Sequence, residues 1–357
     1  MCLGLRYLAA EPLGLGRVVK PSSYFFDLSH VFLGQGMTDT SYEWVPYRPK
    51  PPEVPVDWWV KAVPVLVGLQ LLVAGLLRLR LGRLGLWLWY LGPSVLILLA
   101  FLLLVGALRS SRLWRHGINW WHIAGYLGLI IFVASLRTYG SYPSSYDNRP
   151  SPVEFRLPLD GPATVAWGGA SSEVNYHVFL PDQRWAYDLL VTENGRSAAG
   201  DATRLEAHYA WNLPVRAPAT GIVRRAVDGE PEAILGAPRW GLAGLGNHVV
   251  MEVAPGQFLF IGHLRRATLA VAVGERVHAG QVLGRVGNSG NSSEPHVHLH
   301  LQDSLRPYFG EAIPFRFSGY EQDGRVVTLG MPEGGRVDGR YVGQKVIHRG
   351  VSSLDAS

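Results

Sequence analysis

Residues 291–302 read Asn-Ser-Ser-Glu-Pro-His-Val-His-Leu-His-Leu-Gln, with an imidazole at every second position from His296 to His300. As a β-strand, this period of two puts His296, His298 and His300 on one face and Val297, Leu299 and Leu301 on the other. The apolar face suits a core, and the imidazole face suits an open groove. Neutral imidazole is the commonest metal ligand, and two on one strand face can converge on one ion, so the pattern reads as a zinc site. A solvated, merely His-rich strand has the same pattern, so the motif needs partners from elsewhere, a carboxylate and a further imidazole.

The run from Val174 to Val191 supplies both. Two segments rich in Val, Phe, Tyr, Trp and Leu flank Pro181-Asp182-Gln183-Arg184. The Pro-Asp pair predicts a turn, because Pro fixes φ and Asp offers a side-chain acceptor. A hairpin symmetrical about that turn sets His177 opposite Asp188, with Cβ atoms about 4.5–5.5 Å apart. A slip of one residue would send one of them to the other face. Asp188 sits among Trp185, Ala186, Tyr187, Leu189 and Leu190, where an unpaired carboxylate is costly to bury and a metal would compensate it. Two His and one Asp, with a fourth position left to water, is a catalytic rather than a structural zinc pattern.

These residues resemble the lysostaphin/LytM-type zinc metallopeptidases, which cut peptides of bacterial peptidoglycan. The resemblance runs from about Gly161 to Ser318. It rests on an ordered series: Ala217-Pro-Ala-Thr-Gly-Ile-Val, Gly246-Asn-His-Val-Val, Gly262-His263-Leu264, Val277-His-Ala-Gly-Gln-Val-Leu-Gly, and Gly287-Asn-Ser-Gly-Asn-Ser-Ser-Glu-Pro-His-Val-His. Carried over position by position, it implies Zn2+ held by His177, Asp188 and His298. His263 and His296 are then the two catalytic histidines beside the metal. The family commonly spaces its first His and Asp as His-x-x-x-Asp. Here they lie eleven apart, and the expected hairpin accounts for the difference. His300 lies on the same strand face and is read as a rim residue facing water.

Zinc with an open coordination position lowers the pKa of water towards 7 and polarises a peptide carbonyl. Histidine has a pKa suited to moving the protons or to holding the developing oxyanion. No His-Glu-x-x-His motif occurs, and the single cysteine, Cys2, lies far from the motif region. His208, His248 and His278 read as structural. The implied activity is a zinc endopeptidase; the rival reading is an inert relative that binds cell wall or regulates another hydrolase. A biotin- or lipoyl-carrier reading of residues 217–223 fails, because the lysines are Lys20, Lys50, Lys61 and Lys345, none of them in the region of resemblance.

The chain ahead of this region has a different composition. Trp58–Leu77, Leu84–Leu108 and Gly117–Leu136 are apolar runs in which Lys61 is the only lysine, arginine or acid, each near the roughly 20 residues that span a bilayer. Tryptophans cluster at their ends, as interfacial anchors do. Three transmembrane helices over 57–137 are therefore expected, after an N-terminal segment 1–56. Residues 1–150 carry a net charge of +7 and residues 151–357 a net −2. The basic balance thus belongs to the membrane half and gives no argument for nucleic acid. Basic residues near the helix ends divide almost evenly between the two sides, so the location of peptidoglycan places the enzyme outside the cell membrane. A Ser-, Tyr-, Gly- and Pro-rich linker over 138–160 reads as an irregular tether. The metallopeptidase domain is expected over 161–318, mainly β, as an antiparallel sheet or partly open barrel with an active-site groove. A C-terminal extension, 319–357, carries no assigned chemistry.

Overall fold

The computed structural model describes residues 55–110, 119–136, 140–237 and 244–349, so nearly all of the 1–56 segment lies outside the described residues. The first apolar run forms α1 (Trp58–Arg78) and the second α2 (Arg83–Ser110). Both are long and apolar enough to cross a membrane. The third, α3 (Trp120–Ser135), has 16 residues, about 24 Å at 1.5 Å per residue, and is short of a roughly 30 Å hydrocarbon core. The expectation of three full spans is thereby corrected to two. The cause is local: the Asn119 side chain accepts the His122 N–H and starts the helix at Trp120. Gly117 and Ile118, counted in the expected span, lie outside the described residues.

The helices pack through small residues. A Cβ on Gly125 would lie 2.7 Å from the Trp59 ring, and one on Gly128 would lie 2.7 Å from Val63. Glycine therefore lets α1 and α3 approach closely. Gln70 Nε2 donates to Ser135 Oγ at 2.6 Å, and His122 Nε2 lies 3.1 Å from Asp57 Oδ2. These contacts join like ends, so α1 and α3 run parallel.

The C-terminal region is mainly β. Its strands are β1 (Glu154–Phe155), β2 (Ala163–Trp167), β3 (Tyr187–Leu190), β4 (Pro214–Arg216), β5 (Gly221–Val227), β6 (Asn247–Ala254), β7 (Gln257–Leu264), β8 (Arg276–Val277), β9 (Val282–Arg285) and β10 (Val297–Gln302). After them come β11 (Arg316–Gln322), β12 (Arg325–Gly330), β13 (Arg336–Val337), β14 (Arg340–Tyr341) and β15 (Lys345–His348). The main sheet runs β1-β11-β15-β2-β3-β10-β7-β6-β5-β8, with β12 on β11. Small sheets β4-β9 and β13-β14 flank it.

This sheet differs from the expected antiparallel sheet or partly open barrel. Its β1–β11 pair is parallel, and the strand order runs from β1 to β8 without closing among the described residues. The expected domain end at Ser318 falls inside β11, and β12 and β15 of the expected extension belong to the same sheet. Val297, Leu299 and Leu301 join Val165, Leu189, Ile261 and Phe317 in the core.

Two further expectations give way. Residues 176–179 form a 3-10 turn, not a hairpin strand: the Asn175 side chain accepts the His177 N–H, and the Leu180 N–H closes onto the His177 carbonyl. Local side-chain bonds to backbone outcompete strand pairing there. The supposed tether is also packed. Tyr142 and Ser144 are buried, and the buried Glu311 carboxylate accepts from the Tyr142 hydroxyl at 2.7 Å and from the Ser145 N–H at 3.0 Å.

Candidate metal centre

Strand β10 lies between β3 and β7, and the register is specific. His298 pairs with Asp188 on one side and with Gly262 on the other. Directly paired residues share a face, so His298 Nδ1 meets Asp188 Oδ1 at 2.8 Å. His177 reaches the same carboxylate from its 3-10 turn, Nε2 to Oδ2 3.7 Å. One donor atom from each of His177, Asp188 and His298 lies within 4.8 Å of the others, and all three residues are buried.

Asn175 orients the first imidazole. Its Oδ1 accepts from His177 Nδ1 at 2.9 Å, while its Nδ2 donates to the Gly169 and Ala186 carbonyls. An amide oxygen only accepts, so Nδ1 carries the proton and Nε2 is left bare towards Asp188. Tyr176 stacks on the same ring at 4.0 Å, with its hydroxyl 3.5 Å from Asp188 Oδ2. Neither Asn175 nor Tyr176 stood out in the sequence; an Asn two residues before a candidate ligand was the available signal.

His263 and His296 flank this cluster, with ring centroids 4.6 Å apart. His296 Nδ1 meets the Glu294 carbonyl at 2.8 Å, and His263 Nδ1 meets the Ser289 carbonyl at 2.8 Å. Carbonyls only accept, so both rings carry a proton on Nδ1, and in the neutral ring Nε2 is the bare nitrogen; His296 Nε2 lies 3.6 Å from Asp188 Oδ1. Strand alternation would turn His263 away from the face that Gly262 shares with His298. Its φ of 60° reverses it onto the cluster, an inversion no pattern of residue types announces.

His300 departs from its expected place at a wet rim. It is 0% exposed, stacked on Phe260 at 4.5 Å, with Nδ1 2.8 Å from His298 Nε2. The imidazole face of β10 is therefore buried beyond His298. His248, read as structural, lines the cleft, its Nδ1 on the Gly246 carbonyl at 2.7 Å. His208 is buried beside a 3-10 turn at Leu205–Ala207 and does not line the cleft. Tyr341, from the C-terminal extension, also lines it and bonds Glu294.

Burial pushes His177 down to about 3, although the Asp188 carboxylate pulls the other way. Burial and then the neighbouring imidazoles hold His263 and His300 well below the ordinary histidine value. For Asp188, burial works upward, yet His177, His296 and the His298 hydrogen bond outweigh it and hold the carboxyl well below its usual range. Imidazoles beside an ionised carboxylate make a donor set of the kind zinc takes. The cluster opens into a cleft of about 500 Å³ walled by Trp167, Leu180, Tyr308 and Tyr341.

Comparison with known proteins agrees with the motifs. Residues 203–308 match the profile described as Peptidase family M23. Among solved structures, the chain is similar to the catalytic domain of EnpA from Enterococcus faecalis, at 21% identity over 45% of this chain and 94% of that one, TM-score 0.29. It is also similar to the catalytic domain of lysostaphin from Staphylococcus simulans, at 18% identity over 46% and 90%, TM-score 0.24. A zinc-containing peptidase from Vibrio cholerae aligns at 19% identity over 45% of this chain and 39% of that chain, TM-score 0.26. No curated protein sequence matches. The chain carries a domain of peptidase family M23, the lysostaphin/LytM-like family.

Proposed function

We propose that this chain is a membrane-anchored zinc endopeptidase that hydrolyses peptide bonds of peptidoglycan. The observation that supports it best is the buried Asp188 carboxylate, approached by His177 Nε2 and His298 Nδ1 and flanked by His263 and His296. His177, Asp188 and His298 are the residues that would hold the metal. Zinc bound there would supply Lewis acidity, polarising a peptide carbonyl and easing the deprotonation of water.

The chain's own residues do the rest. Asn175 fixes the His177 tautomer, and β3–β10 pairing fixes Asp188 against His298. His263 and His296, both with Nδ1 engaged by carbonyls, offer Nε2 to accept a proton from the attacking water and return it to the leaving amine. Trp167 and Tyr308 give the cleft aromatic walls against which a peptide can lie.

Two helices long and apolar enough to cross a bilayer support the anchor, and their exposed faces, with Leu71, Val95, Ile97 and Phe101, are apolar. In water such a surface would be a liability; in lipid it is solvated. With peptidoglycan as substrate, the catalytic domain lies on the extracytoplasmic side. Purified protein should bind about one zinc per chain, lost in Asp188→Ala and in His298→Ala, and should release peptides from peptidoglycan. Zinc binding without hydrolysis would favour the inert, wall-binding relative. No zinc after metal loading would sink the enzyme reading.

A further inference from the structure

The start of α2 is built into the peptidase domain. Trp87 packs edge-on against Phe309 at 5.8 Å, and Trp89 against Tyr142 at 5.6 Å. A Cβ on Gly85 would lie 3.2 Å from the Tyr142 hydroxyl, so this turn of helix lies against that ring. In the connection between α1 and α2, Arg80 pairs with Asp147 at 3.1 Å, and Asp147 also holds Arg184 at 3.3 Å. The domain therefore has a fixed height along α2. Phe309 packs on Trp87, a residue about 6 Å along the helix axis from Arg83.

Around Phe309 the domain surface is apolar and open. Phe309 is 48% exposed, Phe179 50% and Leu180 36%. The two turns that carry them are tied together: the Ala312 N–H donates to the Pro181 carbonyl, and the Tyr308 N–H donates to Asp182, both at 2.8 Å. Leu180 and Tyr308 also wall the cleft. Through the Phe309–Trp87 contact this rim meets α2, whose Leu84, Trp87 and Leu91 are exposed. An apolar surface continuous with a spanning helix, at the depth of its first tryptophan, meets the headgroup boundary.

We propose that Phe179, Leu180 and Phe309 form an interfacial foot that enters the headgroup region of the bilayer, so that the mouth of the cleft lies at the membrane surface. This rests on the reading of α2 as a membrane span. The occupant of the apolar rim is lipid, and the peptides presented to the cleft are those held close to the membrane.

The test uses the full chain with Cys2 replaced by Ser, carrying single cysteines labelled with an environment-sensitive fluorophore. The sites are Phe179→Cys, Phe309→Cys, Leu98→Cys within α2 and Val326→Cys on β12, all exposed positions. The labelled proteins, checked for wild-type zinc content and elution, are placed in nanodiscs of phosphatidylethanolamine and phosphatidylglycerol. They are then quenched either by spin-labelled lipid, with the label near the headgroup end of the acyl chain for 179 and 309 and near its methyl end for 98, or by aqueous iodide. The expected result is lipid quenching at 98, 179 and 309, with iodide quenching there severalfold weaker than at 326. Lipid quenching at 98 with iodide quenching at 179 and 309 would overturn the foot and leave the span intact. Shielding of 179 and 309 from both quenchers would mean that protein covers the rim, which also overturns it. Iodide quenching at 98 would remove the span and the foot together.

Discussion

His298 Nε2 lies 2.8 Å from His300 Nδ1, while His298 Nδ1 lies 2.8 Å from Asp188 Oδ1. His298 is thus held at both nitrogens, and the partner at Nε2 decides what Nδ1 can do. Were His298 to hold the metal through Nδ1, its remaining proton would sit on Nε2 and donate to His300, the support that ligating imidazoles usually need. His300→Leu keeps the packing on Phe260 but removes this acceptor. Zinc affinity should fall about 10- to 100-fold, while His300→Gln, whose amide oxygen still accepts, should retain most of it. Chelator competition measures the affinity, and the visible spectrum of the cobalt-substituted protein reports the altered ligand field. Unchanged affinity in His300→Leu would make His300 a packing residue only.

Legibility followed the range of the interactions. The alternation at 297–301 was readable because period two is local, and the structure seats Val297, Leu299 and Leu301 in the core. Asp188 stood out as an acid amid apolar residues. Its partner across the ladder, His298, is 110 residues away, and nothing in residue types gives that register. For His177 the expected hairpin does not form; the structure brings it to Asp188 through a 3-10 turn capped by Asn175. The docked segment at Tyr142 read as a tether because Tyr, Pro and Ser are turn residues, while its anchor, Glu311, lies 169 residues on.

The loop that carries the His263 support depends on glycine. Gly290 has φ 80°, and a Cβ there would lie 2.4 Å from the Gly246 backbone nitrogen. Next to these glycines, the Ser289 carbonyl accepts from the His263 ring, and the Leu245 carbonyl accepts the His263 N–H. Gly290→Ala combines a left-handed backbone with a backbone clash, so a loss of about 2–4 kcal/mol is expected. Hydrolysis should fall more than zinc affinity, because the three candidate ligands lie on other segments. Gly229→Ala, with open space around the new methyl, should stay within about 0.5 kcal/mol. Thermal unfolding of both variants checks this, and equal melting temperatures would contradict it.

Glu311 locks the helix-side segment onto the peptidase domain. Its carboxylate is 1% exposed and accepts from the Tyr142 hydroxyl, the Ser145 N–H and the Ser145 hydroxyl. Tyr142→Phe deletes one of three bonds to a buried carboxyl group and should cost about 1–3 kcal/mol. Glu311→Ala leaves the Ser145 N–H and hydroxyl without their acceptor and the Tyr142 hydroxyl with only the Gly82 carbonyl at 3.3 Å, and should cost more. Hydrogen exchange over residues 140–150 should rise in the order wild type, Tyr142→Phe, Glu311→Ala. Equal protection in all three would show that the segment is held by something else.

Asp182 should give the domain a pH-dependent stability. Its carboxyl is buried, with Oδ2 bonded to the Tyr308 N–H and Oδ1 without a partner among the described residues. Burial, only partly opposed by that N–H, pushes it up to about 6 from 3.8. A group raised on folding contributes stability that is full below its unfolded pKa and lost as pH rises through the folded one. The folded protein thus loses about 3 kcal/mol between about pH 4 and pH 7 on account of this group. Asp182→Asn carries no such titration, and its amide oxygen can still accept from Tyr308. The variant's stability relative to wild type should therefore improve by about 3 kcal/mol over the same window, whatever constant offset the substitution adds. Denaturant unfolding in detergent, followed by tryptophan fluorescence at several pH values, measures that difference. A difference that does not change with pH would mean that Asp182 is ionised in the fold as easily as in the unfolded chain.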